Sequence, residues 1–253
     1  MTQGILPAFL CPLSAPKLLR LGRDNDGGYL VDSRDVAAAD CLISLGLFDD
    51  WSFDRSFVRQ KKVPVFGYDG SISWRTFAQK IRRDLLDGRH HSVIRYDARL
   101  LLDYLRFFSG RNRHIQRFVG SDRSDGFVSM AQVFETALGQ GFSRPYLKID
   151  IEGSEYGILD DLIRHAGLTA GLVIEFHDCD RHLDEIGGFV AAYPLRLVHI
   201  HANNYGPVTA QLLPTVLEFT FSSSSDAGER PVFPHRLDMP NNRDVAEITL
   251  SFN

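Results

Sequence analysis

Cysteine is scarce in this chain: three in 253 residues, Cys11, Cys41 and Cys179, odd in number, widely spaced and without a CxxC pair. That pattern excludes a disulfide framework and a zinc–thiolate site and fits a reducing compartment. No run approaches the roughly 18 apolar residues a membrane span needs. The apolar start MTQGILPAFLCPLSAPK is broken by prolines and has no basic segment before it, so it does not read as a signal peptide. Net positive charge is also missing. At a formal charge of −4 the chain has no global field to gather phosphates or anionic lipid. These absences lead to the expectation of a cytoplasmic protein with no nucleic-acid and no membrane partner. The arginines Arg106, Arg111, Arg113, Arg117 and Arg123 read as a solvated face.

What is present is ordinary globular composition, 44% hydrophobic and 24% charged, too apolar for a disordered chain. The length suits one large domain over residues 1–253, with 1–35 as an N-terminal extension packed on it. Short β-rich runs occur at Cys41–Leu45, Val63–Tyr68, Ile115–Val119, Tyr146–Ile151, Leu172–His177, Arg196–Ile200, Val216–Phe221 and Ala246–Phe252. Helical spacing fills Trp74–Leu86, Ser129–Leu138, Ser154–His165 and His182–Ala192. Strand–helix alternation predicts an α/β fold, Rossmann-like and doubly wound, with a mostly parallel sheet. The last three runs are separated only by turns, one at Ser222–Ser225, which predicts antiparallel C-terminal strands.

Ligands in such sheets bind beyond the carboxyl ends of the strands, so the polar residues there are the candidates. The first strand runs into SLGLFDDWSFD, with a single glycine, Gly46, where a dinucleotide fingerprint needs three. An NAD-dependent sugar-modifying enzyme is therefore disfavoured, also by the lack of a Tyr-x-x-x-Lys pair. A sulfonium nucleoside has no pyrophosphate, and one close-approach glycine suffices for it. Asp69, at the tip of the second strand, is placed to accept hydrogen bonds from ribose hydroxyls.

In YLKIDIEGSEY, Lys148, Asp150 and Glu152 alternate with apolar residues, so one strand face carries charge and should border a polar cleft. Ser154 is a candidate N-cap for the helix that follows. Glu175 and His177 share a face of the next strand, as do His199 and His201 of the one after, which predicts His177 and His201 at neighbouring strand tips. Two imidazoles near Asp150 and Glu152 suit proton transfer or a divalent metal. The run RDNDGGY, Arg23–Tyr29, has calcium-loop-like acid spacing but lacks the length and terminal glutamate, and reads as a turn into a strand.

LKIDIEGSEYGIL resembles the signature of FkbM-type methyltransferases, and GRDNDGGYLV, SLGLFDDWSFD, VIEFH, HIHANNYG and LDMPNN are similar to a related methyltransferase-like branch. The resemblance spans about Arg23 to Asn242. It implies a class I methyltransferase fold, S-adenosylmethionine as cofactor, and O-methylation of a hydroxyl on a small-molecule or glycan acceptor. In that reading Gly46, Asp69 and Asp150 bind the cofactor, and His201 or His177, oriented by Glu152 or Glu175, is the general base. Asn203, Asn204 and Glu175 hold the acceptor. A variant adds a divalent ion such as Mg²⁺ on Asp150, Glu152 and His177. Because Ser44–Asp54 departs from the glycine-rich first motif of such enzymes, the alternative is a catalytically degenerate nucleoside- or sugar-binding module.

Overall fold

The computed structural model describes residues 2–122, 124–224 and 231–253, so Arg123 and Ser225 of the sequence reading lie outside the described residues. The chain begins with β1 (Thr2–Leu6), the antiparallel pair β2 (Leu18–Leu21) and β3 (Tyr29–Asp32), and the short helix α1 (Ser33–Ala38). Then come β4 (Cys41–Leu45), α2 (Ser52–Gln60), β5 (Val65–Tyr68), α3 (Trp74–Leu86), α4 (His91–Phe107) and β6 (Arg113–Ile115). Two-residue strands β7 (Phe118–Val119) and β8 (Phe127–Val128) precede α5 (Met130–Gly139) and β9 (Pro145–Ile149). The rest is α6 (Leu159–His165), β10 (Gly171–Phe176), α7 (Leu183–Ala192), β11 (Arg196–Ala202), β12 (Leu217–Ser222) and β13 (Ile248–Phe252).

The central sheet has seven strands in the order β11-β12-β10-β9-β4-β5-β6. All neighbours from β10 to β6 pair in parallel, and β12 runs antiparallel to both β10 and β11. This is the doubly wound Rossmann-like sheet that strand–helix alternation predicts, and β11–β12 form the predicted C-terminal antiparallel pair. Alternate residues of the central strands feed two cores. Ile43, Leu45, Leu147, Ile149 and Ile174 face the core filled by α5, α6 and α7. Leu42, Val65, Tyr146 and Val173 face the one filled by α2, α3 and α4. Parallel strands covered on both faces bury every residue, which is why β4, β5, β9 and β10 are buried throughout.

Several boundaries correct the sequence reading. The third expected run, Ile115–Val119, splits: the amide of Arg117 donates to the Ile115 carbonyl at 2.8 Å and turns the chain, so Phe118–Val119 pairs with β8 instead. The last run does not join the sheet; β13 pairs in parallel with β1, a strand that the sequence reading had not singled out. Ser154 makes no side-chain cap, because the segment starts as a 3-10 turn at Glu155–Ile158 and only then becomes α6. Helices α2 and α4 were also not anticipated. Because β12 lies between β10 and β11, His177 and His201 are not at neighbouring strand tips.

Candidate active site

A cavity of about 840 Å³ opens at the carboxyl ends of β4, β5, β9 and β10. The chain order reverses direction there, between β4 and β9, which is where doubly wound sheets bind ligands. Gly46, Asp69, Asp150, Glu152, Glu175, His177 and Asn203 all line it.

Gly46 follows β4 at φ +77°, and a Cβ there would collide with the carbonyl oxygen of Asp150 and stand 2.7 Å from its carbonyl carbon. The glycine therefore lets the loops after β4 and β9 touch. Asp69 fixes the same loop from the other side. Its Oδ2 accepts from the amides of Leu47 (2.9 Å) and Phe48 (2.8 Å), and its Oδ1 from the amide and hydroxyl of Ser71. Burial alone would raise its pKa, but the Ser71 hydroxyl and these amides outweigh it and hold the carboxyl below its usual value. With two bonds on each oxygen the carboxylate is fully used within the protein, and it bears on a ligand through the shape of the Leu47–Phe48 loop.

Lys148, the last charged position inside β9, is 6% exposed and donates to the Gly46 carbonyl (2.7 Å) and to Asp150 Oδ2 (3.2 Å). Tyr29, brought by β3, sits between Asp150 Oδ2 and Glu175 Oε2, its hydroxyl 3.0 Å from each. Burial, then Asp150 and Glu175, push the Tyr29 pKa up, so the phenol keeps its proton. Burial and repulsion from Asp150 and Glu218 push Glu175 well above the usual carboxylate range. Asn203 Nδ2 donates to Glu175 Oε1 at 2.7 Å, and Asn203 Oδ1 accepts from the Tyr205 amide, so Asn203 orients Glu175.

The period-two stripe ends at Asp150. Positive φ at Glu152 (54°) and Gly153 (92°) swings the chain round and leaves the Glu152 side chain 86% exposed on the cavity rim. His177, just past β10, turns its Nε2 toward Glu152 (3.4 Å) while its Nδ1 contacts Glu155 Oε1 at 3.1 Å. Glu155 is fully buried and also accepts from the amides of Ile151 and Gly153. Burial works against charge on His177, but the bond and charge of Glu155, with Glu175 and Asp150, carry its pKa up to about 9. Since the folded value lies above the unfolded one, its stabilising share is complete below about pH 6.5 and vanishes as pH rises through about 9. We expect the melting temperature to fall over that interval and the fall to be shallower in His177→Gln. Parallel curves would show that His177 is uncharged throughout.

The two remaining candidates do not reach the cavity. His201 is 4% exposed between Glu218 (Nδ1, 3.1 Å) and Glu247 (Nε2, 3.2 Å). Burial opposes its charge, yet Glu218 and Glu247 raise its pKa well above normal, which makes it an internal ion-pair centre. Asn204 is spent on backbone carbonyls of Asn242 and Val245. Sequence reasoning missed Tyr29 and Glu155 as site residues, although both stand inside quoted motifs, GRDNDGGYLV and LKIDIEGSEYGIL.

The strand order, with six strands running one way and the penultimate strand reversed between β10 and β11, defines the class I methyltransferase fold. No family model matches the chain, and no curated protein is similar to it. Among solved structures it is similar to the fibrillarin/Nop5p complex at 10% identity, over 73% of each chain and with a TM-score of 0.36. A Thermoplasma acidophilum structure described as a candidate methyltransferase gives 9% identity over 74% of this chain and 69% of that one, with a TM-score of 0.33. Likenesses this distant say nothing about activity.

Proposed function

We propose that the chain is an S-adenosylmethionine-dependent methyltransferase of FkbM-like type, acting on a hydroxyl of a sugar or other small hydroxylated acceptor. The observation that carries this reading is the cavity at the switch point, where Gly46 brings two loops together beside the Asp150 carboxylate. Its volume is near the upper end of the roughly 300–1,000 Å³ of ligand pockets, large enough for a nucleoside and a small second molecule. When bound, the cofactor supplies an electrophilic methyl carbon with its own leaving group. The chain's residues then have to align an acceptor oxygen and take its proton. Asp150, tied through Oδ2 to Lys148 and Tyr29, faces the cavity as a counter-charge for a cationic ligand. His177, with Nδ1 anchored on Glu155, presents Nε2 as the proton acceptor once it has lost its own proton.

Calorimetric titration with S-adenosylmethionine and S-adenosylhomocysteine tests the reading. Binding of both is expected, weakened about tenfold or more in Asp150→Asn through loss of a charged hydrogen bond. Absence of binding to either compound would overturn the cofactor assignment and favour the degenerate sugar-binding module.

A second reading adds a divalent cation, on the observation that ligand atoms of Asp150, Glu152 and His177 lie within 4.8 Å of one another. The oxygen-rich set fits a hard ion, and Glu155 behind His177 is the carboxylate that metal-bound imidazoles use to fix their orientation. Such an ion would hold and acidify an acceptor hydroxyl. Titration with Mg²⁺ or Mn²⁺ should then show one site that Glu152→Gln weakens about tenfold or more. If neither ion binds and EDTA leaves turnover unchanged, the cation has no part in the site.

A further inference from the structure

Helices α3 and α4 form an antiparallel hairpin on one side of the sheet, and their outward stripes are unusual for a chain of net charge −4. On α3 the positions opposite buried Phe77 and Asp84 are Arg75, Gln79, Arg82 and Leu86. On α4 the positions opposite Asp97, Tyr104 and Phe107 are Arg95, Arg99, Leu102 and Arg106. All eight are exposed. Among the described residues Arg82, Arg83, Arg89, Arg95 and Arg99 form no ion pair; of the hairpin's four acids Asp97 and Asp103 are matched by Lys80 and Arg55, Asp84 is buried, and only Asp87 is exposed and unmatched, which leaves the basic side chains in excess.

The apolar content is as marked as the charge. At the hairpin tip Leu85 is 57% exposed and Leu86 76%, with Val93 and Tyr96 close by in sequence on the start of α4 and also exposed. Adjacent exposed leucines rimmed by basic side chains form the kind of contiguous patch that marks an interaction surface. Basic side chains on an outer face, with leucine, valine and tyrosine at one end, match a surface that is anionic outside and apolar beneath. A second copy would face this stripe with like charge, and a nucleic-acid backbone would use the arginines but not Leu85 or Leu86.

We propose that the α3–α4 hairpin docks the protein on anionic membrane surfaces, with the arginines on lipid phosphates and the Leu85–Leu86 tip seated among the acyl chains. This is peripheral attachment; among the described residues no helix is long and apolar enough to cross a membrane. The face is separate from the cavity, so the inference stands or falls independently of the methyltransferase reading.

The test is co-sedimentation of the full chain with phosphatidylcholine vesicles, with or without phosphatidylserine. At about 0.1 M salt we expect at least tenfold stronger partitioning onto the anionic vesicles, lost near 0.5 M salt. Leu85→Ser with Leu86→Ser should weaken it about fivefold or more, and Arg95→Glu with Arg99→Glu should abolish it, both variants retaining the parent melting temperature and far-UV circular dichroism. Equal partitioning onto both vesicle types, or none, overturns the proposal. So does salt-sensitive binding of a mixed-sequence RNA that the leucine variant leaves intact, or a dimer that this variant dissolves.

Discussion

Gly46→Ala is expected to eliminate cofactor binding and to lower stability by about 3 kcal/mol, the sum of a forced positive φ and an overpacked contact. A Cβ at φ +77° would overlap the carbonyl of Asp150, and a backbone group cannot rotate aside as a side chain can. The loops after β4 and β9 must then part. That separation breaks the Lys148 bond to the Gly46 carbonyl and displaces the amides of Leu47 and Phe48 that Asp69 holds. Denaturant unfolding and titration with S-adenosylhomocysteine measure the two effects. A variant that unfolds like the parent and binds as tightly would mean the loops do not touch here.

Lys148→Met is the second large effect. The ammonium sits, almost without solvent, among Asp150, Asp54 and Glu175; burial alone would lower its pKa, but these carboxylates raise it. Burial already drives Asp54 up to about 6 despite the pull of Lys148, so without the cation the cluster holds excess negative charge in a dry place. Removing one partner of such a set costs about 3–5 kcal/mol. Carboxylates whose folded pKa is raised destabilise the fold as pH rises through that pKa and are harmless below the unfolded value. The deficit should therefore be largest near pH 8 and shrink toward pH 5. A loss under about 1 kcal/mol at pH 8, or one independent of pH, would show that water reaches these carboxylates.

Much of the framework was legible because it rests on local chemistry. The run Cys41–Leu45, short and largely apolar, reads as a strand buried on both faces, and it is β4 to the residue. The Trp74–Leu86 periodicity matches α3 end to end, closed at its start by a Ser73–Thr76 capping box. The candidate site was legible in part, since strand ends bring Gly46, Asp69, Asp150, Glu175 and His177 to one cavity wherever the strands fall in order. The pairing of His177 with His201 failed because sequence order does not give sheet order: β12 inserts between β10 and β11, and Glu218 on it captures His201. Glu152 left the charged face because its own positive φ, two residues after Asp150, turns the chain away from the strand direction.

By itself the sequence determined the α/β class and the placing of a cleft at the strand ends, because periodicity and strand ends act within a few residues. Only the tertiary structure decided which charges meet. It spent Asp69 on a loop, closed His201 inside ion pairs, set Tyr29 between Asp150 and Glu175, and placed Glu155 against His177. It also gathered arginines and leucines on one hairpin of a chain whose net charge is negative. Each of these depends on distances between residues far apart in the chain, and net charge or spacing averages over such distances.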